Sequence, residues 1–167
     1  MLGIAIDPEF FANRYVYVYY MEPLTVATAR PVVVRFTEQD GRGIDPQVIL
    51  GDLPPTQPPY FNHVAGHIHF GPDGYLYVSI GDYGGTPESA QDLSTVRGKL
   101  LRVQRDGSPA PGNPFNGRAG ADARVFAYGL RNSFDFTFEP GTGRIYASEN
   151  GPDRCDELNF IVPGHNY

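Results

Sequence analysis

The amino-acid sequence predicts an all-β fold, a β-propeller of which about three blades are present, on three observations. Short aromatic and β-branched runs are separated by Gly, Pro, Asp and Asn, the punctuation of many short strands. A hairpin-like unit occurs three times at a nearly constant spacing, which signals a repeat architecture. Strand candidates between these units bring each period to roughly four strands, the content of one propeller blade.

The three units run from Gly3 to Tyr20 (GIAIDPEFFANRYVYVYY), His67 to Asp82 (HIHFGPDGYLYVSIGD) and Asp135 to Gly151 (DFTFEPGTGRIYASENG). Each has an alternating apolar strand, a turn with a proline, and a second strand rich in Tyr. Alternation gives one inward and one outward face, as a sheet strand requires. The turn prolines Pro8, Pro72 and Pro140 are spaced by 64 and 68 residues. Proline suits a turn because its fixed φ helps and its missing N–H costs nothing there. Ala29 to Thr37 with Gln47 to Leu50 follow the first unit, and Gly98 to Arg105 with Val125 to Tyr128 follow the second. The segments Glu88 to Val96 and Asn113 to Asp122 read as loops, and no convincing helix is evident. A β-sandwich with similar hairpins is the alternative fold. About three blades do not close a ring and leave sheet faces and edges exposed, so the chain is expected to be a fragment.

Composition narrows the function classes. The 167 residues suit one domain, and 11 Tyr with 11 Phe exceed what a disordered chain carries. The formal charge is −6 and the only lysine is Lys99, which argues against a nucleic-acid partner. No apolar run approaches the roughly 20 residues of a membrane span. The opening MLGIAIDPEF shows no basic segment followed by an apolar one, so no signal peptide is visible. The single cysteine, Cys155, excludes an internal disulfide.

Five groups of residues are weighed as able to carry chemistry. His63 lies in a loop just before the second hairpin, where an imidazole can serve as general base or simply hold the loop by hydrogen bonds. His67 and His69 share one strand face, but two ligands without a third are weak evidence for a metal. Asp82 closes the same hairpin and can either orient an imidazole or cap turn amides. Arg131 and Asn132 sit at the mouth of the third hairpin, offering a fork of donors and a neutral amide. Arg131 is equally suited to an ion pair between blades. Last, SENGPDRCDELN places Glu149, Asp153, Asp156 and Glu157 around Gly151 and Pro152. Such an oxygen-rich loop suits Ca²⁺ or is merely a solvated acidic loop.

The order of these motifs resembles the soluble glucose and sorbosone dehydrogenases, including the aldose sugar dehydrogenases. The series is H-x-x-G, F-G-P-D-G-x-L-Y-V-S-I-G-D, R-G-K-L-L-R-V-x-R-D-G-S-P-x-P, N-P-F, Y-G-L-R-N, S-E-N-G-P, D-E-L-N and P-G-x-N-Y, from Leu2 to Tyr167. The resemblance implies a six-bladed propeller that uses pyrroloquinoline quinone (PQQ) and Ca²⁺ to oxidise an aldose sugar at its anomeric carbon to the lactone. It implies His63 as the base, Asp82 as the group that orients it, and Arg131 with Asn132 as contacts to the quinone oxygens. Carbonyls of Gly151 and Pro152 match the family's Ca²⁺ ligands, and Asp156 and Glu157 match positions that hold a further Ca²⁺ in some members. The family also implies a periplasmic or secreted protein with an external electron acceptor, and allows a homodimer. His67, His165 and the Ser-Phe-Asp-Phe run after Asn132 depart from the common pattern and leave the sugar undefined. A non-catalytic binding propeller, or an inactive fragment, is the alternative.

Overall fold

Eleven strands are formed among the residues that the computed structural model describes, which are 1–56, 62–84, 87–151 and 154–167. β1 (Gly3–Ile6), β2 (Tyr15–Pro23), β3 (Ala29–Gln39) and β4 (Arg42–Leu50) make a four-stranded antiparallel sheet in chain order. β5 (Ile68–Phe70), β6 (Leu76–Ile80), β7 (Lys99–Val103) and β8 (Val125–Tyr128) make a second sheet of the same kind. β9 (Ser133–Phe138), β10 (Ile145–Glu149) and β11 (Glu157–Ile161) make a third, with three strands. Each sheet is one blade, so the chain is part of a β-propeller, as its repeats predict.

The apolar alternation explains how the blades stack. β6 is buried along its whole length because both faces of the middle blade are covered. Leu76, Val78 and Ile80 join Tyr17, Tyr19, Ile68 and Leu101 in a core against the first blade. Tyr77 and Leu100 join Phe126, Phe136, Ile145 and Ala147 in a core against the third. The outer faces of the end blades remain open: Ile4 and Ile6 at one end are 58% and 60% exposed, and Leu158 at the other is 77% exposed. These open apolar faces are what an unclosed set of blades should show.

An ion pair between a buried carboxylate and a partly exposed arginine ties the first blade to the second. The Asp7 carboxylate accepts from Arg105 Nε at 2.9 Å and from the Glu9 N–H at 2.8 Å. Arg105 in turn accepts at its carbonyl from the Tyr17 hydroxyl. Glycine permits another close approach, since a Cβ on Gly3 would lie 2.2 Å from the Gly66 carbonyl oxygen.

Two short helices and a longer edge strand correct the sequence reading. α1 (Phe10–Asn13) is a single turn inside the first hairpin connection, closed by Arg14 in the left-handed region at φ 60°. α2 (Pro87–Gln91) lies where a loop was expected. Proline suits the first helical position because that N–H has no partner anyway. Lys99 finishes the helix from below: its ammonium donates to the carbonyls of Ser89, Ala90 and Arg97. The Lys99 side chain is fully buried, and burial pushes its ammonium down to about 8. β4 starts at Arg42, ahead of the expected Gln47, and passes through Pro46. The register there moves from Thr37–Ile44 to Arg35–Gln47, so Asp45 and Pro46 bulge out of the ladder. An edge strand tolerates that proline because its lost N–H need not pair.

Candidate active site

The end of β6 and the loop before β5 meet where His63 and Asp82 lie. Their side chains are bonded, His63 Nδ1 to Asp82 Oδ1 at 2.9 Å. The same carboxylate oxygen accepts the Gly84 N–H at 2.8 Å. Asp82 therefore both caps its turn and holds the imidazole. With the carboxylate on Nδ1, that nitrogen carries the proton and Nε2 is left as the acceptor. The pair is mostly shielded, with His63 and Asp82 side chains 17% and 9% exposed.

The backbone at this point is constrained. His63, Ala65 and Tyr83 all take positive φ, at 52°, 51° and 64°. Such values are uncommon outside glycine and gather at functional sites. Two features hold the strained loop. The Tyr83 N–H donates to the His63 carbonyl at 3.1 Å. Gly81 lets the chains touch, since a Cβ there would fall 1.9 Å from the His63 carbonyl oxygen and 2.9 Å from Asn132 Oδ1. No side chain fits in that gap, which is why SIGD needs its glycine.

Arg131 and Asn132 enter the same site from the start of the third blade. The Arg131 carbonyl accepts the Asp82 N–H at 2.8 Å. Asn132 Oδ1 accepts the Ala65 N–H at 3.0 Å, and its amide donates to Asn150 Oδ1 at 2.9 Å. The amide of Asn132 is thus a bracket between the His63 loop and the end of β10. Arg131 Nη1 donates to the carbonyls of Asn150 and Gly151 at 2.8 and 3.0 Å. A guanidinium carries five N–H donors, so further donors remain for an anionic or quinone-like ligand.

Glu149 is the residue whose role sequence reasoning missed. It is 7% exposed at the end of β10. Its Oε1 accepts the N–H groups of both Arg131 and Asn132, at 2.6 and 2.5 Å. Its Oε2 accepts the Ser133 hydroxyl at 2.5 Å. Burial pushes the carboxyl above its ordinary value, against the pull of these three bonds. A signal was present: in Ile-Tyr-Ala-Ser-Glu, period two places Glu149 on the same inward face as Ile145 and Ala147.

The residues expected around Ca²⁺ follow the end of β10 and reach the start of β11. The Gly151 carbonyl already receives Arg131, and the Gly151 N–H donates to Asp156 Oδ1 at 3.0 Å. Glu157 opens β11 opposite Glu149 and is exposed. Pro152 and Asp153 lie outside the described residues. Among the described residues no three His, Cys, Asp or Glu gather to hold a metal. His67 and His69 do share a face, their rings 6.3 Å apart, but His67 Nδ1 pairs with Asp135 at 3.0 Å and no third ligand joins them among the described residues. Burial holds the His67 imidazole below its ordinary value, against the opposing charge of Asp135.

Comparison with known proteins gives a consistent answer. The model of the glucose/sorbosone dehydrogenase family matches residues 1–167. A candidate oxidoreductase (glucose dehydrogenase) from Thermus thermophilus superposes with a TM-score of 0.90 at 43% identity, covering 99% of this chain and 49% of that one. The PQQ-bound aldose sugar dehydrogenase of Streptomyces coelicolor superposes with a TM-score of 0.83 at 35% identity, covering 99% and 46%. Quinoprotein glucose dehydrogenase B of Acinetobacter calcoaceticus is 32% identical over 100% of this chain and 39% of its own length. The chain thus spans less than half the length of these relatives. Among the described residues no helix is long and apolar enough to cross a membrane.

Proposed function

The chain belongs to the glucose/sorbosone dehydrogenase family, and from that premise we propose that it is the base-bearing part of a PQQ-dependent sugar dehydrogenase. The observation that carries this reading is the His63–Asp82 pair beside Arg131. When bound, PQQ supplies the two-electron acceptor for a hydride. His63 takes the proton from the anomeric hydroxyl at Nε2 while the hydride leaves the same carbon, so the sugar is oxidised to its lactone. Asp82 keeps Nδ1 protonated and stabilises the imidazolium that forms. The remaining donors of Arg131 would stabilise the charge that develops on the acceptor. Asn132 acts by holding the loop at Ala65.

The donors of Arg131 support this role, and by family resemblance the carbonyls of Gly151 and Pro152 would hold the Ca²⁺. Family membership supports an aldose substrate, an external electron acceptor and a site of action in the periplasm or outside the cell.

In a full-length enzyme carrying these residues, PQQ with Ca²⁺ should give dye reduction that depends on an added aldose. Replacing Arg131 with Ala should weaken PQQ binding about tenfold or more, measured by titration of the quinone absorbance. If no member of a broad aldose panel reduces the dye, and PQQ does not bind saturably, the protein is a binding propeller instead.

A further inference from the structure

We propose that Glu149 is the positioning residue of this site, one buried carboxylate that sets both His63 and Asp82 from the neighbouring blade. The proposal rests on the dehydrogenase reading for its catalytic consequence, but its structural part stands alone. Glu149 is the hub of a branched set of bonds. Oε1 fixes the backbone N–H groups of Arg131 and Asn132, and Oε2 fixes the Ser133 hydroxyl. Three consecutive residues are thereby held by one side chain.

Two branches then leave that segment. The Arg131 carbonyl accepts the Asp82 N–H at 2.8 Å. The Asn132 side chain accepts the Ala65 N–H at 3.0 Å, two residues from His63. The base and its orienting carboxylate thus both hang from a segment of the next blade, and Glu149 is what anchors that segment. A bulge makes the reach possible. The β9–β10 register pairs Ser148 with Asp135 and then Glu149 with Ser133, skipping Phe134. The slip turns the Ser133 side chain inward onto Glu149, while Phe134 points out and is 64% exposed.

The loop bearing His63 is strained at φ 52° and needs such an anchor. A small displacement of the base from its working geometry costs a large factor in rate. Glu149 touches no reacting group, and its influence passes through Asn132 and Arg131.

Amide hydrogen exchange on the full-length enzyme without PQQ tests the structural part. Glu149→Ala should speed exchange at Ala65 and Asp82 by about tenfold or more relative to the β7 amides. Glu149→Gln keeps an oxygen for the two N–H groups and should return both rates to within about threefold of the original protein. If Glu149→Ala does not fold, Glu149→Asp, one methylene too short to reach, should give the same selective loosening. In the full-length enzyme with PQQ, Glu149→Ala should lower kcat by roughly tenfold to a hundredfold with KM nearly unchanged, and Glu149→Gln should restore most of it. Unchanged exchange at Ala65 and Asp82, or a rise shared equally by β7, would overturn the proposal. An enzyme inactive before any substitution would instead sink the dehydrogenase reading, and the exchange result would still judge the anchor.

Discussion

Replacing Asp82 with Asn should lower kcat for sugar oxidation on the order of 10²- to 10⁴-fold, with PQQ affinity little changed. Asparagine has the same size and its oxygen can still cap the Gly84 N–H, so the turn should survive. What is lost is the charge on the oxygen that His63 Nδ1 meets at 2.9 Å. The imidazolium that forms on proton transfer then has no counter-charge in a mostly buried place. The amide can also present its NH₂ to Nδ1, which would favour the wrong tautomer and leave no acceptor at Nε2. Steady-state kinetics with PQQ titration separates this from a binding loss. A variant with full turnover would show that the carboxylate serves only the turn.

The largest stability effect should come from Asp7. Asp7→Ala is expected to cost about 1–3 kcal/mol, read as a lower urea midpoint. The carboxylate is 1% exposed and holds Arg105 across the junction of the first two blades. Its removal leaves the Glu9 N–H without its acceptor and Arg105 with only the longer contact to the Glu9 carboxylate at 3.4 Å. Burial alone would raise this carboxyl, yet Arg105, the Glu9 N–H and Asn13 outweigh it and hold it below its ordinary value of 3.8. The sign follows: a lowered folded value means stability that is fully present above about pH 3.8 and lost as pH falls through the lower folded value. The gap between the original protein and Asp7→Ala should therefore narrow in acid, and a gap independent of pH would assign the cost to packing alone.

Much of the fold is legible because each blade's first hairpin pairs two runs of apolar residues at mostly alternate positions and turns at a Pro. Val125–Tyr128 is recovered to the residue, since an apolar run between polar loops leaves no other reading. The first half of β4 is not legible. Arg42, Asp45 and Pro46 look like a loop, and only pairing with β3 makes them an edge strand. α2 is a short turn of helix whose carbonyls depend on Lys99, well beyond its end at Gln91. Local propensity carries no trace of such a distant partner.

The site divides along the same line. His63, Asp82, Arg131 and Asn132 can be picked out as motif residues, and the structure brings all four together. Their connections cannot be picked out. The contact from Asn132 to Ala65 crosses 67 residues of chain and exists only because two blades stack. Glu149 hides in the acidic run 149–157, where it looks like one more solvated carboxylate. Only the period-two alternation of β10, followed to its last residue, marks it as inward-facing. The Gly151 carbonyl, which motif order points to a metal, also accepts from Arg131, a contact that the motif does not announce.

Proton transfer to His63 is the step on which the proposed chemistry depends. Its most direct test is single-turnover reduction of bound PQQ by an aldose in the full-length enzyme with His63→Ala, with and without added imidazole. The expected result is a rate lowered on the order of 10²- to 10⁴-fold at unchanged PQQ affinity, with partial recovery when imidazole supplies the missing base. A His63→Ala enzyme that reduces PQQ at the original rate would contradict it.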